Sequence, residues 1–374
     1  MVGIGGPGAG VRKFLTRIDD NAMKIGLVRR GFSGTGGAEA YLLRLAHGLV
    51  KAGHEPTLIT SAEWPSDRWP GGRIVRLPGK TPSQFAKAFA ETNFGVDLTF
   101  SLERVPGCDV FRAGDGVHAA WLQRRGAFES PWKRWFHQYN PKHFALMHLE
   151  RQLFRSAKAV IANSRMVATE IRHWHGYPAE QIHIVPNGIG PALPRQDRAL
   201  ARQKLGLPAE AFCVLFVGTG WERKGLKFAI EAVERLGKDA LLVVAGRGPQ
   251  ARYASAQARF LGPISDLSAL FSAADVFTLP TIYDPFSNAC LEALAAGLPV
   301  VTTTANGFSE IITPGIHGHV VEPGDVAALA GALEFWREPR EDTDAVCRKL
   351  ASRYTIERNV TETLVVLRRV VGGG

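Results

Sequence analysis

The chain has 374 residues, 45% of them hydrophobic and 21% charged, which provides enough apolar surface for a sizeable core and enough length for two domains. This composition excludes a disordered chain and a small disulfide scaffold. The formal net charge is +10, and the excess is one-sided: residues 1–190 hold 25 Lys or Arg against 15 Asp or Glu, whereas residues 191–374 hold 20 of each. The first half is therefore expected to meet nucleic acid, an anionic membrane surface or a phosphorylated substrate.

Residues 1–22 are Gly-rich and precede a strand-like run, so they are expected to be a disordered extension or a misassigned start. From Lys24 short β-rich runs alternate with helical stretches, the pattern of a parallel sheet with helices on both faces. The strand Lys24–Val28 leads through a glycine loop to an amphipathic helix from Ala38 to about Ala52, and a second strand follows His54. Further strands are expected at 97–101, 108–112, 158–162 and 181–185. The pattern restarts at Phe212-Cys-Val-Leu-Phe-Val-Gly218, then continues as helix 224–237, strand 240–245, strand 259–261, helix 265–273, strand 275–279, helix 288–297 and strand 299–303. The fold class is α/β with two similar halves. The domains are expected at 23–190 and 191–355, and a helix over 356–374 could pack back on the first. Cys108, Cys213, Cys290 and Cys347 form no CxxC pair, which fits a reducing compartment, and no apolar run approaches the roughly 20 residues of a membrane span. A cytoplasmic location is expected.

The most informative stretch runs from Tyr283 to Val301, with Asp284 after a strand and Glu292 inside the following helix. In open α/β folds ligands bind at the carboxyl ends of strands. The helix start at Ser287, Asn288 and Ala289 offers backbone N–H groups and a positive dipole end for a diphosphate, and the two carboxylates can grip hydroxyls of a sugar or ribose. Arg223 and Lys224 precede Gly225 at another helix start, where cations oppose the macrodipole unless they hold phosphates and neutralise a departing diphosphate. Gly36 and Gly37 close the first strand–helix loop and let backbone approach a ligand. The loop is not GxGxxG, and no acid follows at the end of strand two, which argues against a dinucleotide site. Asp115 and His118 follow a strand at the expected cleft, where either could sit near an acceptor hydroxyl. Asp115 needs no pKa shift to act as a base. Asp342-Thr-Asp344 enters a helix and is read as a capping context; no metal and no cofactor are expected.

In its surroundings the Asp284 to Glu292 stretch resembles the acid, seven residues, acid signature of retaining glycosyltransferases of family 4, which have the GT-B fold. The resemblance covers nearly the whole chain from Met23: Gly34-Thr-Gly-Gly-Ala-Glu39, Val160-Ile-Ala-Asn-Ser164, Val185-Pro-Asn-Gly188, Val217 to Gly225, and Ala245-Gly-Arg-Gly-Pro249. It implies that Arg223 and Lys224 hold the diphosphate, Glu292 the ribose and Asp284 the donor hexose. It also implies that Asp115 or His118 contacts the donor sugar or aids proton transfer. Asp284 departs from the family, which usually has Glu at that position; its shorter side chain requires a shifted sugar or a water.

Between Trp121 and Lys158 eight basic residues, among them Arg124, Arg125, Lys133 and Arg134, meet two acids and are interleaved with Trp121, Trp132, Trp135, Phe136, Tyr139, Phe144 and Phe154. Such a segment suits a headgroup interface; a nucleic-acid patch or a solvated face with buried rings has similar composition. Phe111 to Gly126 resembles the lipopolysaccharide-core glucosyltransferases of the family, which implies an anionic lipid-linked saccharide acceptor and peripheral membrane contact rather than nucleic acid. The expected activity is transfer of a hexose, glucose from UDP-glucose, with retention of configuration and without metal. The alternatives are a mannosyl- or N-acetylhexosaminyltransferase of polysaccharide synthesis, or a non-catalytic nucleotide-sugar binder.

Overall fold

The computed structural model describes residues 22–32, 37–138, 140–338 and 340–373. Two parallel sheets lie side by side. The first has the order β3-β2-β1-β4-β5-β6-β7, from β1 (Lys24–Val28), β2 (Glu55–Thr60), β3 (Ile74–Arg76), β4 (Leu98–Ser101), β5 (Val110–Arg112), β6 (Ala159–Ala162) and β7 (Ile182–Ile184). The second has the order β10-β9-β8-β11-β12-β13, from β8 (Phe212–Val217), β9 (Ala240–Ala245), β10 (Ala258–Gly262), β11 (Val276–Leu279), β12 (Val300–Thr303) and β13 (Gly318–Val321). Every pairing between these strands is parallel. The central strands are continuous apolar runs because helices cover both faces: all residues of β4, β6, β11 and β12 are buried.

The first-sheet helices are α1 (Gly37–Lys51), α2 (Pro82–Ala90), α3 (His118–Gly126), α4 (Pro131–Gln138), α5 (Pro141–Ser156) and α6 (Arg165–His175). The second sheet carries α7 (Arg198–Lys204), α8 (Leu226–Arg235), α9 (Leu267–Ala273), α10 (Asn288–Ala295), α11 (Val326–Glu334) and α12 (Thr343–Ala351). The basic aromatic segment is thus mostly helical. Pro131 opens α4, and Pro141 opens α5 behind an Asn140 cap that accepts from the Lys142 amide.

The change of sheet falls between β7 and β8. α7 packs on α9, and Ile189 already belongs to the core of the second sheet. The last helix, α13 (Ile356–Gly372), returns to the first sheet. Its Val360, Leu364, Val366 and Leu367 join Leu42, Leu45 and Leu49 of α1 in one core, and Tyr41 donates to Asn359 Oδ1 at 2.9 Å. The outgoing and returning chains run side by side, with Ile189 N–H donating to Tyr354 O (3.0 Å) and Ile356 N–H to Ile189 O (2.9 Å).

Candidate functional site

Each sheet reverses strand direction of growth once, between β1 and β4 and between β8 and β11, and a ligand crevice opens at such a switch point. The two carboxyl edges face one cavity of about 480 Å³. Six cations line it (Arg29, Arg44, Arg112, Arg223, Lys224 and Arg247) against three carboxylates (Asp115, Asp284 and Glu292), so the cavity favours an anion.

The loops after β8 and β11 build its floor. Gly225 caps α8 with φ 74°, and a Cβ there would run into the Pro280 carbonyl, so the turn carrying Arg223 and Lys224 lies tight against the β11 loop. Arg223 Nη1 donates to Tyr283 O at 2.8 Å, while the Arg223 carbonyl accepts from Ile282 N–H (3.0 Å) and Thr281 Oγ1 (2.8 Å). Asp284 is buried, its Oδ2 lying 3.7 Å from Arg223 Nη1 and 3.9 Å from Lys224 Nζ. Burial pulls the Lys224 ammonium below the usual lysine range, and the Asp284 charge works against that. Asp284 is fixed by its own amide, which donates to Ala305 O, and by its carbonyl, which accepts from Gly307 N–H, both at 2.9 Å.

Ser287 caps α10 by accepting from the Cys290 amide at 3.3 Å, and Asn306 Oδ1 accepts from Ser287 N–H at 3.3 Å. Of the helix's first amides, those of Asn288 and Ala289 are left over by this cap, and both residues line the cavity. Glu292 stands one turn further on; burial raises its pKa, while Arg44 and Lys224 lower it.

The structure brings Asp115, Arg223, Lys224, Asp284, Ser287, Asn288, Ala289 and Glu292 to this cavity. Gly37 opens α1, whose Ala38, Ala40 and Tyr41 line it, and Gly36 lies outside the described residues. His118 is not brought there. Its amide begins α3 and donates to both carboxylate oxygens of Glu150 at 3.1 Å, and its ring lies toward α5, with Nε2 3.0 Å from His143 Nδ1. Burial and then Arg104 pull its pKa to about 4, so the ring is neutral at physiological pH.

The four basic residues expected at a surface also divide. Arg124 pairs with Glu170 (2.9 Å) and Arg125 with Glu129 (2.5 Å), because α3 packs inward; Lys133 and Arg134 on α4 are exposed. Among the described residues of this segment Trp132 (66%), Trp135 (60%), Phe144 (52%) and Phe128 (43%) are exposed rings. Trp121 instead stacks on Tyr283, and Phe154 lies buried against Phe111. The side chains of Phe136 and Tyr139 lie outside the described residues. Asp342 takes the cap position of α12 at φ 66° without a side-chain cap bond, and Asp344 pairs with Arg195 (2.6 Å) and Arg348 (2.8 Å). Among the described residues no three His, Cys, Asp or Glu side chains converge on a metal position.

Sequence reasoning did not single out Arg44, Arg112 or Asn187. Arg112 lies over the Tyr41 ring at 3.8 Å and donates to Asn187 Oδ1. Asn187 in turn donates to Phe286 O (3.2 Å) and Asn288 Oδ1 (2.7 Å), tying the crossover to the start of α10. An Arg ending a fully buried strand and an Arg among the apolar positions of α1 were the available signals.

Two sequence families match the chain, one described as Glycosyltransferase Family 4 over residues 35–193 and one described as Glycosyl transferases group 1 over residues 211–336. The chain is a family 4 glycosyltransferase of GT-B fold. This glycosyltransferase is 26% identical over 315 residues to the lipopolysaccharide glucosyltransferase WaaG of Escherichia coli, covering 76% of this chain and 82% of that protein. It is also 26% identical over 332 residues to an uncharacterized glycosyltransferase of Methanocaldococcus jannaschii, covering 80% and 84%. The crystal structure of WaaG superposes with a TM-score of 0.76 at 22% identity, covering 94% of this chain and 100% of that one. Anabaena HepE in complex with UDP-glucose superposes at 0.70 and 20% identity, covering 92% and 99%.

Proposed function

We propose that this glycosyltransferase moves glucose from UDP-glucose, with retention of configuration and without a metal, to an anionic lipid-linked saccharide such as a lipopolysaccharide inner core at the cytoplasmic membrane face. The observation that carries the reading is the cluster of Arg223, Lys224 and Asp284 beside the amino end of α10 in the interdomain cavity. The cations and the Asn288 and Ala289 amides meet a diphosphate, Glu292 the ribose and Asp284 the hexose hydroxyls. The bond from C1 to the β-phosphate oxygen breaks, and the acceptor oxygen bonds to C1 on the same face. The departing phosphate oxygen takes the acceptor proton. Arg223 and Lys224 stabilise its charge in place of a metal, and Asp115, exposed at the cavity rim, orients the acceptor hydroxyl. Lys133 and Arg134 beside Trp132 and Trp135 supply the membrane contact; no helix among the described residues is long and apolar enough to cross a bilayer.

A panel of nucleotide sugars scored for hydrolysis with and without acceptor extract tests the assignment. UDP-glucose should be turned over fastest, with release of UDP accelerated by lipopolysaccharide-core acceptor. A preference for GDP- or ADP-sugars, or no stimulation by that acceptor, refutes it.

A further inference from the structure

Tyr283 immediately precedes Asp284 in the second domain, yet its side chain is 2% exposed and sits in the core of the first domain. Its hydroxyl accepts from the Val117 amide at 2.9 Å and donates to Glu170 Oε2 at 2.7 Å. The ring stacks on Trp121 with centroids 6.2 Å apart, and Arg124, paired with Glu170, lies 5.6 Å over it. Gly116, at φ 70°, has no room for a Cβ, which would strike the Tyr283 hydroxyl. Burial, and then Glu170, raises the phenol well above its ordinary pKa, so the hydroxyl stays a donor. The backbone of the same residue faces the other way: its carbonyl holds Arg223 at 2.8 Å. One residue thus touches the loop carrying Asp115, two positions before Val117, and the loop carrying Arg223 and Asp284.

A second strut from the second domain lands on the same helix. Glu310 accepts from the Arg165 and Met166 amides at the start of α6 (2.9 and 2.6 Å), and Glu170 lies on that helix. The residues that receive Tyr283 are therefore anchored to the second domain at two points.

We propose that Tyr283 is a positioning residue, which sets Asp115 of one domain against Arg223 and Asp284 of the other by seating its hydroxyl on Val117 and Glu170 when the cleft is closed. The inference deepens the proposed transfer reaction and rests on it for its kinetic readout. Groups that hold the nucleotide lie in the second domain and do not need Tyr283, so the consequence falls on turnover rather than on UDP binding.

The test is Tyr283→Phe, which removes the hydroxyl and keeps the stacked ring. With UDP-glucose and acceptor, kcat should fall by about 10- to 100-fold, the range that a displacement of about 1 Å produces, while the Kd for UDP by calorimetry stays within about twofold. Gly116→Ala, which evicts the hydroxyl from the opposite side, should give the same split. In the ligand-free protein, hydrogen exchange of the Val117 amide should quicken in Tyr283→Phe while the strands of both sheets keep their protection. An unchanged kcat, or parallel losses of kcat and UDP affinity, overturns the proposal. If the wild type turns over no UDP-hexose, the proposed donor is refuted and exchange alone decides: faster Val117 exchange supports the coupling, and unchanged exchange overturns it.

Discussion

Removing the Lys224 charge is the sharpest test of the phosphate role. Its Nζ lies 3.9 Å from Asp284 Oδ2, with side chains only 12% and 10% exposed. At an effective dielectric of about 20, unit charges at that distance interact by about 4 kcal/mol. Lys224→Ala therefore does two things. It withdraws a cation from the departing diphosphate, which for a preorganised donor costs about 10² to 10³ in kcat. It also leaves Asp284 to Arg223 alone, at 3.7 Å, so that the carboxylate repels the phosphates. The two effects separate in a double-mutant cycle with Asp284→Asn. If Lys224 serves only to neutralise Asp284, the double variant is no slower and binds UDP no more weakly than Asp284→Asn alone. If it contacts the diphosphate, the double variant stays about 10²-fold slower than Asp284→Asn, because that change cannot replace a missing cation. The assay is steady-state UDP release from UDP-glucose with acceptor, beside calorimetry with UDP on protein of unchanged melting temperature. Lys224→Ala with wild-type kcat, or a double variant as fast as Asp284→Asn alone, refutes the contact.

The lowered Lys224 pKa carries a pH signature: the ammonium is lost as pH rises through a value below the ordinary lysine range, so kcat/KM should fall on the alkaline side earlier than a solvated lysine allows. Bound diphosphate favours the charged form, so the alkaline limb of kcat should lie at higher pH, and coincident limbs would contradict the contact. Free Lys224 also strains the folded state while charged, so melting of the unliganded protein should show a stability gain as pH rises through its lowered pKa toward the unfolded value, where the gain is complete. Glu292→Gln should weaken UDP and UDP-glucose alike, read by calorimetry, whereas Asp284→Ala should impair UDP-glucose and leave UDP bound; equal losses for both ligands in both variants would reverse the roles. Gly225→Ala must place a Cβ at φ 74° against the Pro280 carbonyl and should cost at least about 2 kcal/mol in denaturant unfolding. Replacing Lys133 and Arg134 by Gln should weaken sedimentation with anionic vesicles roughly 30-fold, at about 1 kcal/mol per basic residue, and leave UDP-glucose hydrolysis intact; binding that persists would place the contact elsewhere.

The two sheets were legible because their strands are buried on both faces and so appear as apolar runs: Phe212-Cys-Val-Leu-Phe-Val217 needs no alternation to declare itself. The edges were not. Ile74–Arg76 is two half-buried residues and an exposed arginine, and Gly318–Val321 opens on a glycine, so neither carries a periodic signal. Cavity-lining residues next to a glycine or a helix start could be picked out from the physics of those positions, as with Lys224 beside Gly225 and Ser287 at the cap of α10. His118 lies in the expected stretch of chain, but its ring meets His143, 25 residues away, and does not line the cavity.

What one-dimensional reasoning could not reach is the division of charge between the domains. Arg124 reads as one more member of a basic surface until Glu170, 46 residues on, claims it beneath Tyr283. Arg112 is only the last residue of a strand in the sequence, and in the fold Tyr41 and Asn187 enclose it. Both arginines are used where the halves meet, whereas Arg44, whose Nε is buried without a partner, faces Glu292 from the opposite wall. The cleft therefore presents cations from both domains to an entering anion. Tyr283 seats its hydroxyl on Val117 at the same meeting of the halves, so the contact that sets the Asp115 loop stands beside those cations without itself holding the anion.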